Sequence, residues 1–243
     1  MIRNLKVLLG AAMVLAAFGA FSASGAQAHT PAEFHCHVEP CAATLEADGT
    51  EATAHHVFVV KNSIGETVSF TCTKLEGFAT STTKTATSLE FTNLQYTVCK
   101  AAGQAVTVRM NGCKYNFTAT GTVTITGCEA GKKIEVEIVP TGCIATVKEQ
   151  GPLTGISFHN IGTTATPPAA SNTHETAEAK VPNIAVELDG TTAKCLIDVT
   201  KTPITSEYTT GNTTITGFND PAGTPADKHG GVRADIWWTA TVA

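Results

Sequence analysis

The clearest signal in the chain is alternation. From Ile134 to Ile138, apolar Ile134, Val136 and Ile138 take turns with Glu135 and Glu137; between Glu66 and Lys74, Val68, Phe70 and Cys72 share one parity. A period of two puts the apolar side chains on one face of a strand and the polar ones on the other. The same reading predicts strands over 57–60, 89–99, 143–148, 153–161, 177–181, 184–188, 194–200, 212–218 and 233–242. Within 89–99 the phase slips between Phe91 and Leu94, which places a bulge at Asn93. Turn chemistry separates these runs, at Asn62–Gly65, Thr120-Gly121, Gln150-Gly151-Pro152 and the hairpin signal Asp189-Gly190. The polar Ser/Thr tract 79–88 reads as a loop or exposed hairpin tip.

The pattern predicts an all-β protein, an antiparallel β-sandwich. A β-solenoid is the alternative, because Cys99, Cys113, Cys128 and Cys143 recur at near-equal steps. The Pro/Ala/Thr/Ser run at 163–174 is the best internal boundary, so 29–243 is expected to be one domain with a subdivision there as the alternative.

Cysteine spacing adds staples. A bridge across a hairpin needs a turn midway between its cysteines. Thr120-Gly121 lies midway between Cys113 and Cys128, and the Thr85-Ala86 tract midway between Cys72 and Cys99. The midpoint between Cys99 and Cys113, and that between Cys128 and Cys143, fall inside alternating strands, which disfavours those pairs. The expected set is Cys72–Cys99, Cys113–Cys128, a long-range Cys143–Cys195 and a local Cys36–Cys41. One tension stands. A two-residue turn at Thr120-Gly121 sets Tyr115 and Phe117 on the face opposite Val123 and Ile125. A three-residue loop aligns all four but leaves Cys128 one place off Cys113, unless a bulge at Gly127 repairs it; the alternative is a hairpin covered on both faces, as in a sandwich interior.

The first 28 residues stand outside this pattern. Arg3 and Lys6 precede an apolar run from Val7 to Phe21 and a small-residue site ending at Ala28, the layout of a secretory signal peptide. The run is shorter than a membrane span, and no later stretch is long and apolar enough to be one. Losing Arg3 and Lys6 takes the formal charge from −5 to −7, which argues against nucleic acid as a partner. Forty-one threonines and few aromatics fit half-buried strands.

Candidate chemistry is sparse. His29, His35 and His37 crowd the predicted mature N-terminus beside Cys36 and Cys41. The plain reading is a local disulfide with solvated histidines; the sharper one is a zinc or copper site. Cleavage after Ala28 would expose His29, whose α-amine and imidazole can chelate copper, with His159 or His229 as a second ligand. That resembles the copper brace of lytic polysaccharide monooxygenases, and it gives a copper-dependent oxidative enzyme as one alternative. Trp237 and Trp238 give another, a carbohydrate-binding module, since one ring of the pair must leave the core face and can stack on a sugar. His55-His56 reads as a strand edge, because adjacent residues face opposite sides. Glu135 and Glu137 read as a wet face, lying farther apart than the carboxyls of a retaining glycosidase. Asp220, Asp227 and His229 lack the spacing of a calcium loop. No nucleophile elbow, zinc-protease helix, phosphate loop or dinucleotide fingerprint occurs.

Several segments, VSFTCT at 68–73, VTVRMNGC at 106–113, GCIATV at 142–147 and GNTTITG at 211–217, resemble those of a group of secreted, cysteine-containing β-rich proteins, mostly of soil actinobacteria. The resemblance implies a secreted all-β domain and no activity, since none is established for that group. The His/Cys-rich N-terminus and the Trp-Trp strand depart from the group's usual pattern. The resulting expectation is a secreted, non-enzymatic extracellular or cell-envelope protein without a cofactor, acting by surface binding or assembly on an extracellular glycan or protein.

Overall fold

Short strands of this chain line up end to end into longer bent ones, here called staves. The structure, a computed structural model, describes residues 31–37, 39, 41–49, 56–81, 83–161, 174–211, 213–218 and 233–241, with side chains except at 41, 80, 81 and 233. Stave one is β2 (Cys41–Asp48) followed by β3 (His56–Lys61). Both lie along one edge of β4 (Thr67–Ser81), which is stave two, with Cys41 opposite Ser81 and Lys61 opposite Thr67. Stave three is β6 (Ser88–Ala101). Stave four is β7 (Gln104–Arg109) with β8 (Lys114–Thr118), and stave five is β9 (Thr122–Thr126) with β10 (Ile134–Ile138). Stave six joins β11 (Cys143–Val147), β12 (Gln150–Thr154) and β13 (Ile156–Ile161). Stave seven is β14 (His174–Val181) with β15 (Glu187–Asp189), and stave eight is β16 (Thr205–Thr210) with β17 (Thr213–Phe218).

Each stave pairs antiparallel with the next along the chain. Stave eight then pairs with stave one, Thr205 opposite Lys61 at one end and Phe218 opposite Ala42 at the other. The sheet therefore closes into an eight-stranded up-and-down barrel, which leaves its main ladder without a free edge. The antiparallel all-β expectation holds, and the two layers expected of a sandwich are opposite walls of one continuous sheet. Every pairing among the described residues is antiparallel, so no solenoid coil is present.

The bends come from residues that cannot continue a flat ladder. Asn93 and Val98 in β6 adopt φ of 51° and 52°, and the register against β4 shifts between Glu76 and Phe78, so the bulge expected at Asn93 is present. Staves four and five break together at 110–113 and 127–133, where the Cys113–Cys128 bridge spans them. Thr118 faces Thr122, giving the three-residue loop, and Tyr115, Phe117, Val123 and Ile125 share one face. Gly127 at φ 66° supplies the extra residue that brings Cys128 to Cys113.

Both ends of the barrel are built over. At one end β1 (Glu33–Cys36) is the centre of a small sheet between β5 (Thr85–Ala86) and β19 (Ile236–Thr239), while β18 (Arg233–Ala234) pairs with β17. Its Phe34 meets Phe158 edge-on at 4.9 Å between ring centres. The side chain of Asn160 clamps the backbone of Trp238 from both sides, accepting from its N–H and donating to its carbonyl at 2.8 Å each. The tract 79–88, expected as a loop or exposed hairpin tip, does connect the paired strands β4 and β6, and part of it is strand.

At the other end the strand expected over 194–200 is instead one helical turn, α1 (Thr192–Cys195), ended by Leu196 at φ 63°, and an irregular segment to 204. The hairpin expected at Asp189-Gly190 does not form, because β15 pairs back with β11. The cause is tethering. Cys195 is bonded to Cys143, the chain at Gly190 passes so close that a Cβ there would lie 3.0 Å from the Cys195 sulfur, and Ile197 is buried. Glu66 accepts from the Asp198 N–H at 2.8 Å and from Asn62 at 2.7 Å, tying the segment to the β3–β4 turn.

Pro31–Ala240 form one compact unit, and β13 and β14 pair on either side of the segment 162–173, which lies outside the described residues together with residues 1–28. Among the described residues no helix is long and apolar enough to cross a membrane. The disulfides point to an oxidising environment.

Candidate binding cavity

An eight-stranded barrel is just wide enough for its inward side chains to fill it or to leave room for one small ligand. Here the filling is incomplete. Alternation turns Phe70, Val108, Val136, Val147 and Leu45 inward from five staves, and small Ala177 and Ala179 turn inward from stave seven. They surround a cavity of about 120 Å³ whose lining draws on all eight staves. At roughly 10–15 Å³ per water centre this is space for several waters or one small ring-sized molecule.

The walls are apolar except for Thr210 and Thr213, whose hydroxyls lie 2.9 Å apart and bond each other, and for one line of polar groups. His56, the first residue of β3, points inward and is 2% exposed. Its Nδ1 lies 2.5 Å from the Tyr208 hydroxyl. That hydroxyl is 3.1 Å from the Tyr96 hydroxyl, which donates to Tyr115 at 3.3 Å. These are the three tyrosines of the chain, brought together from staves three, four and eight. The rings pack edge-on, His56 on Tyr96 and Tyr96 on Tyr208. All three rings line the cavity. Burial raises all three phenols far above their ordinary range, with the neighbouring phenols adding to it. They are neutral hydrogen-bonding groups at any physiological pH.

A second buried polar group stands apart. Glu175 shares the parity of the inward Ala177 and Ala179, is fully buried, and neither carboxylate oxygen has a hydrogen-bond partner among the described residues. Burial pushes its pKa up to about 8.

The residues singled out from sequence lie elsewhere. His29 is outside the described residues, as are His229, Asp220 and Asp227. His35 and His37 both pack on the indole of Trp237, at 5.2 and 4.9 Å between ring centres. His35 Nε2 is 2.9 Å from the Thr239 hydroxyl, and His37 Nδ1 is 3.0 Å from a carboxylate oxygen of Asp235. Burial lowers the pKa of His35 against the pull of Glu33. Among the described residues no group of three His, Cys, Asp or Glu side chains is placed to hold a metal. Trp237 is 7% exposed. Trp238 faces the other way, donating its indole N–H to the Ala119 carbonyl at 2.8 Å and packing on Phe158. Glu135 and Glu137 flank Arg109 at 3.6 and 2.6 Å on the outer wall.

The bridges Cys72–Cys99, Cys113–Cys128 and Cys143–Cys195 are formed. Cys36 is disulfide-bonded, and the Cys41 side chain expected opposite it lies outside the described residues.

Sequence reading missed the His56–tyrosine line. His56 is not at a free strand edge, because β3 is paired on both sides, to β4 and β16. The available signal was parity: His56 alternates with Phe58 and Val60 on one face of β3, and the chain has so few tyrosines that three on inward positions could have been noticed.

No family model, curated protein or solved structure matches this chain.

Proposed function

We propose that this chain is a secreted, non-catalytic binding protein that encloses a small, mainly apolar molecule inside its barrel. The observation that carries the reading is the apolar cavity to which every stave contributes. Enclosed apolar pockets with a few converging polar groups are the usual form of small-molecule sites. The neutral phenols supply hydrogen bonds and no ready nucleophile or base, which supports binding over turnover. The outward positions favour water as the surrounding medium: Lys74, Glu76, Lys100, Arg109, Glu135, Glu137, Glu178 and Lys180 alternate with inward apolar residues. A lipid-facing barrel has the reverse arrangement. The leader-like first 28 residues and the disulfides support export.

Calorimetric titration of the mature protein with toluene, a single apolar ring, tests this. Saturable binding at one site per chain is expected, and Ala179→Leu, which fills the cavity, is expected to weaken it at least tenfold while the far-ultraviolet circular dichroism stays that of a β protein. A response that does not saturate, or one unchanged by Ala179→Leu, would sink the reading.

A further inference from the structure

The hydroxyl line inside the barrel has a direction, and its direction names the chemistry of the ligand. Three contacts link His56, Tyr208, Tyr96 and Tyr115, and each needs one proton. A phenol has one proton to give. The geometry at the last contact has Tyr96 donating to Tyr115. With that proton committed, the contact between Tyr208 and Tyr96 must use the Tyr208 proton. The contact between His56 and Tyr208 must then use a proton on Nδ1 of the imidazole. Donation therefore runs from His56 through Tyr208 and Tyr96 to Tyr115, whose own O–H is left over.

That last hydroxyl has no acceptor among the described residues, and its ring lines the cavity. Each bond upstream polarises the next, so the terminal O–H is a stronger donor than an isolated phenol. Around it the walls are hydrocarbon, with Phe117, Ile125 and Val123 close by in the lining and no charged side chain. An ion would lose its hydration there without a counter-charge, and a ligand rich in hydroxyls would leave most of them unpaired.

We infer that the barrel is selective for a small, neutral, ring-sized molecule carrying a single carbonyl-type acceptor, which the Tyr115 hydroxyl engages at the end of the His56–Tyr208–Tyr96 line. The inference rests on the interior-binding reading above and adds the ligand's chemical class to it. Tyr96, Tyr208 and His56 act as positioning residues, since they orient the Tyr115 proton.

Acetophenone and ethylbenzene form a matched pair of probes, alike in shape and differing in the carbonyl. Calorimetric titration of the mature protein is expected to show both binding. In Tyr115→Phe, acetophenone affinity is expected to fall about tenfold, the worth of a hydrogen bond whose carbonyl is left buried and unpaired, while ethylbenzene affinity stays within about twofold. The unchanged hydrocarbon affinity also certifies that the variant folds. The carbonyl stretch of bound acetophenone should lie lower in the wild type than in Tyr115→Phe. Equal loss of both probes, or unchanged acetophenone affinity in Tyr115→Phe, overturns the assignment of Tyr115. Uptake of toluene without acetophenone overturns the ligand class alone; failure of all three probes overturns interior binding as well.

Discussion

Glu175 carries a cost that its neighbours do not relieve. A carboxylate buried without hydrogen bonds is driven to its neutral form, and its pKa rises from 4.5 to about 8. The folded chain then holds a proton between those values that the unfolded chain has released. Stability linked to this group is full below about pH 4.5, declines as pH rises and is lost through about pH 8. Over that window the decline is of order 3 kcal/mol or more. Melting followed by circular dichroism at pH 5 and pH 8.5 should show the wild type losing stability, and Glu175→Gln, neutral throughout, losing much less. Equal slopes in the two proteins would mean that the carboxyl finds a partner or water. Sequence could not have exposed this residue, because Glu175 stands two residues before Ala177, where the alternation of Ala177, Ala179 and Val181 begins. Extending that parity back by two would have turned a carboxylate inward, against every expectation for a charged side chain.

The legible elements were those whose two faces differ in chemistry. β10 and the first half of β4 were plain because their apolar and polar positions never share a parity. The bulge at Asn93 showed as a phase slip, and the repair at Gly127 followed from matching a loop to a disulfide. The segment after β15 misled for a physical reason. Cys195, Ile197 and Val199 alternate as a strand would, but the first two are buried through a tether and an end-cap position, not through a sheet face. Period-two burial is necessary for a half-buried strand and does not by itself establish one. Cutting the tether should matter more than cutting a local hairpin staple. Cys143 and Cys195 close a loop of 52 residues, and Cys113 and Cys128 one of 15. The chain-entropy model gives roughly 4 kcal/mol for the first and roughly 3 for the second. Urea unfolding of Cys143→Ala/Cys195→Ala is therefore expected to show the larger loss, with early proteolytic cleavage within 190–204. Equal losses would show that the end segment is held by Asn62, Glu66 and Asp198 instead.

Closure of the sheet was the part of the whole molecule that sequence concealed. Alternation tells each strand which face is wet, and short turns tell it which neighbour to pair with. Neither says that stave eight returns to stave one, since that register joins residues such as Thr205 and Lys61 across most of the chain. The cavity exists only because of that join, so it was hidden for the same reason. His35 with His37, and Trp237 with Trp238, drew attention instead because each pair is close in sequence, whereas His56, Tyr96, Tyr115 and Tyr208 become neighbours only in the ring.

The seam between the first and last staves also sets an order of events. A chain made from its N-terminus can form the hairpins of staves two to six as they appear, but it has no inside until β16 and β17 arrive at 205–218. Until then β2 and β3 on one side and β14 on the other present unpaired edges above an apolar face, the arrangement most prone to sticking to other chains. Under the interior-binding proposal, a small molecule could be enclosed only once these two strands have joined the sheet. A chain stopped before residue 205 should be an aggregating open shell of seven staves, unable to retain any small molecule however intact its remaining walls.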